Sequence, residues 1–218
     1  MKKTLLTLAF AALIAPITAQ ATEANGIGYT YVQLDYVNAN QTGHGTLSDG
    51  ATLNGSFQFA DNFHVFGSYS SLSYRDSFLQ DTADLYGLNV YNTSGTEKPW
   101  SLGFGYAAAI GNRADWVTQL SYTHDNIKFR GCVDTWGCFS SRDTANVWTI
   151  NTGVQGRVFD NLTANAYVGY SNAGRHDDNV FGDFGMVYSF NKTWAMHGGV
   201  RVNSLSHELY SVGVRASF

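Results

Sequence analysis

The residues that could carry chemistry in this chain are few. Cys132 and Cys138 are the whole thiol inventory. Five residues separate them, none a histidine, so they are half a zinc site at most, and the spacing favours a disulfide over metal binding. Acids, bases and one nucleophile gather at His44, Asp84, His176-Asp177-Asp178 and Ser206-His207-Glu208. Three consecutive residues cannot all point to one side of an extended strand, so Ser206, His207 and Glu208 make no triad there. His44 lies in a Gly-rich stretch that suits a solvated side chain. No catalytic residue, metal site or cofactor is expected from these groups. A second set, Asp35, Arg157, Asp183, Arg201 and Arg215 with His64 and His197, sits within otherwise alternating sequence and needs partners wherever it is withdrawn from water.

The elements that position these residues follow from composition and periodicity. The chain has 218 residues, 44 % hydrophobic, 15 % aromatic and 14 % charged, with 23 Gly and 2 Pro, which excludes a disordered chain. Lys2 and Lys3, the apolar stretch Leu5 to Ile17, and Ala19-Gln20-Ala21 read as a signal peptide over residues 1–21, leaving 22–218 as the mature domain. The full chain carries a formal charge of −4, and loss of Lys2 and Lys3 makes it −6. No basic stripe remains to neutralise phosphates, so no nucleic-acid partner is expected.

Beyond residue 28 apolar side chains recur at every second position in segments of about 9 to 12 residues, the length a tilted strand needs to cross a bilayer. Ten segments are discernible: Tyr29 to Val37, Leu53 to Phe59, Phe63 to Ser71, Trp100 to Ala108, Asp115 to Asp125, Asn146 to Arg157, Asn161 to Ser171, Val180 to Phe190, Trp194 to Asn203 and Glu208 to Phe218. Links after the even segments are tight. Those after the odd ones are mostly long and polar: Asn38 to Gly50, Leu72 to Pro99, Asn126 to Ala145 and Asn172 to Asn179. That asymmetry is the one between periplasmic turns and extracellular loops.

Aromatic placement agrees. On the outward faces, Tyr36, Trp100, Tyr122, Trp148, Tyr170 and Tyr210 fall at one membrane interface, and Phe59, Phe63, Tyr106, Trp116, Phe190 and Trp194 at the other. Leu34, Leu120, Ile150, Ala166 and Val200 occupy the middles. Phe218 ends the chain, with Tyr210, Val212, Val214 and Ala216 before it at steps of two, which resembles the terminal-strand signal read by the bacterial barrel-assembly machinery. The predicted fold is all-β: a transmembrane antiparallel up-and-down barrel of about ten strands, with eight as the alternative.

The run Asn62-Phe63-His64-Val65-Phe66-Gly67-Ser68-Tyr69-Ser70, and the strand-turn-strand Gly105-Tyr106 to Gly111-Asn112-Arg113-Ala114-Asp115, resemble small bacterial outer-membrane barrels, OmpA- and OmpX-like in the wide sense. The nearest likeness is to short porin-like barrels of xanthomonads and their relatives. The resemblance covers about Tyr29 to Phe218 and implies the Gram-negative outer membrane, its lipid and lipopolysaccharide, and the assembly machinery as surroundings. Tyr170-Ser171-Asn172-Ala173-Gly174 superficially resembles a lipid A deacylase stretch, but Gly169 stands where that enzyme's base would be. The chain also looks too short for an omptin-type protease.

Ten strands enclose little more than an eight-stranded barrel whose lumen is filled by side chains. Around the turn Asn191 to Thr193, pairing Phe190 with Trp194 sets Asp183 opposite Arg201. The expected role is that of a structural or surface-interaction barrel. Tyr86, Tyr91, Trp136 and Phe139 in the second and third loops would offer an extracellular ligand its contacts. A narrow channel for small solutes is the alternative, and a hydrolase the least favoured reading.

Overall fold

The computed structural model describes residues 25–41, 45–75, 90–133, 137–174, 178–204 and 207–218. Among these residues there is no helix. The chain forms β1 (Tyr31–Gln41), β2 (Gly45–Ala60), β3 (Phe63–Tyr74), β4 (Val90–Glu97), β5 (Trp100–Ala109), β6 (Ala114–Val133), β7 (Gly137–Phe159), β8 (Leu162–Asn172), β9 (Asp178–Ser189), β10 (Trp194–Asn203) and β11 (His207–Ser217). All pairings are antiparallel, and β1 pairs on both sides: Leu34 faces Leu53 of β2 and Val214 of β11. The sheet therefore closes, leaving no edge strand with unpaired backbone groups.

Eleven segments make ten staves. Leu72 of β3 faces Glu97 of β4 and Tyr69 faces Trp100 of β5, while Ile127 and His124 of β6 face the same two residues. The register is unbroken, so β4 and β5 are two pieces of one strand, interrupted at Lys98-Pro99. Proline has no N–H to give a ladder. Its carbonyl still accepts from Ser70 N at 2.9 Å, and Lys98 N donates to Asn126 O at 3.1 Å.

Two of the expected loops are largely strand, and a third holds a strand among its described residues. β1 and β2 continue to Gln41 and from Gly45; β4 lies within the stretch from Leu72 to Pro99; and β6 with β7 pair from Ala114–Gly156 up to Val133–Gly137, through most of the stretch from Asn126 to Ala145. The reason is physical. Greasy alternation marks only the part of a strand that touches lipid, whereas the ladder is held by backbone bonds and continues into water with polar side chains on both faces. Tyr91 and Phe139 thus stand on β4 and β7 as exposed strand residues, not on loops. Tyr86 and Trp136 lie outside the described residues, as does the signal peptide.

The polarity of the wall is inverted relative to a water-soluble protein. Leu34, Leu120 and Ile150 are half exposed on the outside, while Asp35 and His64 are among the most buried residues. The aromatic positions expected for the two belts all face outward, and some of them touch: Tyr122 against Trp148 at 5.1 Å and Trp100 at 5.9 Å on one rim, Phe63 against Tyr106 at 5.1 Å on the other. Phe104 and Phe184 also face out in mid-wall, so the middle is not purely aliphatic. Tight turns close one end. At the one following β9, Asn191 Oδ1 accepts from Thr193 N at 2.9 Å and Trp194 N at 2.8 Å, a side-chain turn that any strand reversal of this size favours.

Candidate functional site

The lumen holds three clusters, and the lowest is built by a segment outside the ladder. Residues 25–29 cross beneath the lumen to β6 and β7, on the far side of the ring, and Thr30, whose carbonyl accepts from Phe218 N at 3.1 Å, joins the wall ahead of β1. Asn25 Nδ2 donates to Asp115 Oδ1, Tyr29 Oη donates to Asp115 Oδ2 at 2.8 Å, and Arg157 Nη1 donates to the Asn25 carbonyl at 3.4 Å. The Tyr29 ring stacks on His64, centroids 4.7 Å apart, and Gln119 meets the other side of that histidine at 3.2 Å. Ile27 and Tyr29 pack with Ala107 and Val117, and Tyr167 adjoins them. Gly26 turns the segment at φ +72°, where a Cβ would strike the Arg157 guanidinium, so both space and backbone call for glycine. Tyr29 was expected on the first strand; it belongs instead to this plug.

A second cluster lies on β1, β2, β10 and β11. Asp35 accepts from Gln33 Nε2 at 2.6 Å, from Asn54 Nδ2 at 2.8 Å, and faces His197 Nδ1 at 2.9 Å. Arg215 donates through Nε to Gln33 Oε1 at 2.6 Å and lies over the Tyr31 ring at 3.9 Å. Buried polar groups of this kind persist only when each has a partner. Farther up, Arg201 stands directly opposite Asp183 and donates from Nε at 2.9 Å and Nη2 at 2.6 Å to Oδ2, its guanidinium over Phe181 at 4.6 Å. The side chains of this pair are 44 % and 25 % exposed, so water reaches them.

The third cluster lies above the belt, where β4 extends past Trp100. Tyr74 Oη donates to Glu97 Oε2 at 2.8 Å. Burial, then the bond and charge of Asp125, push the Glu97 carboxyl up from 4.5 to about 7. No sequence signal marked this group, because the region read as loop. The plug was equally hidden: Asn25, Ile27 and Tyr29 continue the alternation of β1 and give no sign that they leave the wall.

The rim residues do not assemble into a catalytic centre among those described. His207 N donates to Asn203 and Glu208 accepts from Tyr210 Oη at 2.7 Å; consecutive in β11, they lie on opposite faces. Asp178 accepts from Asn172. His44, Asp84, His176, Asp177 and Ser206 lie outside the described residues. Gly169 is filled from across the ladder: a Cβ there would meet the Phe181 ring at 2.3 Å, so a larger side chain is sterically excluded. Cys132 and Cys138 are direct cross-strand partners at the top of β6 and β7 and are bonded to each other. The last strand turns Tyr210, Val212 and Val214 outward, with Phe218 exposed beyond it.

A closed antiparallel ring with an apolar, aromatic-belted exterior and a hydrogen-bonded polar interior is a transmembrane β-barrel, because only closure satisfies every strand backbone in lipid. No known family model matches the chain, and no curated protein does. Solved structures do resemble it. The KdgM porin in complex with disordered oligogalacturonate is 16 % identical over 85 % of this chain and 99 % of its own, with a TM-score of 0.43. The attachment invasion locus protein Ail of Yersinia pestis is 14 % identical over 86 % and 95 %, TM-score 0.42. The translocator domain of the autotransporter NalP from Neisseria meningitidis is 11 % identical over 87 % and 88 %, TM-score 0.46. With likeness of this size, the architecture rests on the ladder and the wall themselves.

Proposed function

We propose that residues 22–218, once freed of the signal peptide over 1–21, form an integral barrel of the Gram-negative outer membrane. Its role there is structural and surface-interacting, and it is neither an open channel nor an enzyme. The terminal strand bearing Tyr210, Val212, Val214, Ala216 and Phe218 serves the barrel-assembly machinery. The extended β4, β6 and β7 present Tyr91 and Phe139 to an extracellular ligand in place of the second and third loops. The observation that carries the closed-lumen reading is the segment Asn25 to Tyr29, strapped across the base to Asp115, Arg157 and His64. A solute passing down the lumen meets it.

A narrow channel is the second reading, favoured by the exposure of Arg201 and Asp183 in the upper lumen. Such charges facing water would select ions if the plug withdrew. Conductance of the purified protein in planar bilayers separates the two. The closed reading expects no steady current from the native chain; a large, steady, solute-dependent conductance overturns it in favour of the channel.

A further inference from the structure

Above the aromatic belt, β4, β6 and β7 form a wall whose two faces carry opposite charge. Glu97, Asp125 and Asp143 occupy inward register positions, whereas Lys98, Lys128, Arg130 and Arg142 occupy outward ones and are all exposed. Lys128 and Arg142 are direct cross-strand partners, and Lys98 is one diagonal step away, beside Asn126, the neighbour of Lys128 on the same face. Like charges directly opposite on a sheet repel. No acid relieves them: among the described residues none of the four makes an ion pair, and Asp49, the acid on the outer face of β2, is held by Arg75 at 2.8 Å and Tyr36 at 2.9 Å. Arg130 stands between Ser94 of β4 and Ser140 of β7, and these three, with Asn92, line a cleft of about 390 Å³. A guanidinium flanked by two hydroxyls suits a phosphate or carboxylate oxygen.

Height above the belt says which anion is at hand. A residue rises about 3.3 Å along a strand, and barrel strands tilt by about 40°, so Lys98 stands about 5 Å above Trp100. By the same measure Lys128 and Arg142 stand about 15 Å above Tyr122 and Trp148, and Arg130 about 20 Å. This ladder of cations is continuous with the lipid-facing surface, and it faces sideways along the membrane, not up into the medium. Of the remaining described cations, Arg75 at the end of β3 is paired with Asp49, Arg157, Arg201 and Arg215 lie in the lumen, and Arg113 and Lys192 lie at the turns of the opposite end. The patch is therefore local, on a chain whose net charge is negative.

We propose that the outward face of β4, β6 and β7 binds the anionic sugar-phosphate headgroup of lipopolysaccharide in the surrounding outer leaflet. Lys98 lies nearest the membrane, Lys128 and Arg142 share an anionic group between them, and Arg130 with Ser94 and Ser140 holds one farther out. The inference rests on the outer-membrane reading given above and adds the face and the residues that hold the lipid.

The test uses the mature barrel folded in phosphatidylcholine nanodiscs, titrated with phosphorylated rough lipopolysaccharide and with the same lipid after enzymatic dephosphorylation. A cation at an anionic lipid surface strengthens binding roughly fivefold, so Lys128→Gln with Arg142→Gln should weaken binding of the phosphorylated lipid more than tenfold, and adding Lys98→Gln and Arg130→Gln should weaken it further. Arg130→Lys with Arg142→Lys should keep most of the affinity, and Arg201→Gln, in the lumen, should leave it unchanged. Equal affinity for the native and charge-removed barrels, or no preference for the phosphorylated lipid, overturns the proposal. Tighter binding of a soluble sulfated glycan than of the lipid also overturns it, assigning the face to an external polyanion. A chain that does not insert into bilayers at all would instead defeat the membrane reading, so the two failures are distinguishable.

Discussion

Tyr29→Ala tests whether residues 25–29 are a plug or a part of the wall. The ring is buried, stacks on His64 at 4.7 Å, and its hydroxyl donates to Asp115 at 2.8 Å. Truncating a buried aromatic to alanine costs about 3 to 5 kcal/mol. Losing the hydroxyl does not add the full penalty of a stranded carboxylate, because Asn25 still donates to Asp115. None of residues 25–30 belongs to a strand. The cost therefore falls on docking of the segment rather than on closure of the barrel. At a factor of ten per 1.4 kcal/mol, the undocked fraction should rise between roughly a hundredfold and a few thousandfold. The readout is a thiol introduced by Ile27→Cys, at a site 3 % exposed, with Cys132 and Cys138 silent because they are bonded. Its modification by a charged maleimide should accelerate by that factor when Tyr29→Ala is added, while the thermal unfolding of the barrel stays nearly constant. Unchanged labelling, or an equal loss of barrel stability, would refute the plug.

Two of the lumen carboxylates, Asp183 and Asp35, should respond differently to loss of their partners. Asp183 and Arg201 are reached by water, so Arg201→Ala and the double change Asp183→Asn with Arg201→Gln should each shift stability in urea by less than about 1 kcal/mol, and alike. Asp35 is 3 % exposed and gathers Gln33, Asn54 and His197; Asp35→Ala strands these donors and should cost about 2 to 4 kcal/mol. Loss of equal size at the two sites would mean that water does not distinguish them. At the mouth, Glu97 holds its proton more tightly folded than unfolded, so its contribution is complete below about pH 4.5 and is lost as pH rises through about 7. The melting temperature of the native protein should fall over that interval more than that of Glu97→Gln, and parallel curves would remove Glu97 as the cause.

The ring of ten strands, its inward and outward faces and the outward placement of the aromatics were legible in the residues alone. A strand with water on one side and lipid on the other must alternate at period two, and a slip of one residue would put Asp35, Asp183 or Arg201 into the hydrocarbon. The pairing of Asp183 with Arg201 follows from a short turn and counting, since a tight hairpin leaves the register no freedom. Outside the lipid zone this logic stops. The upper halves of β6 and β7 are polar on both faces, and nothing local separates a paired strand from a loop there; their extension, the inward Glu97 and the cationic outer face depend on the partner across the ladder. The plug is more strictly a matter of tertiary structure. Ile27 and Tyr29 fit a strand's alternation as well as they fit the lumen, and only the presence of Asp115, His64 and Arg157, distant in sequence but gathered by closure of the ring, draws residues 25–29 out of the wall and across its base.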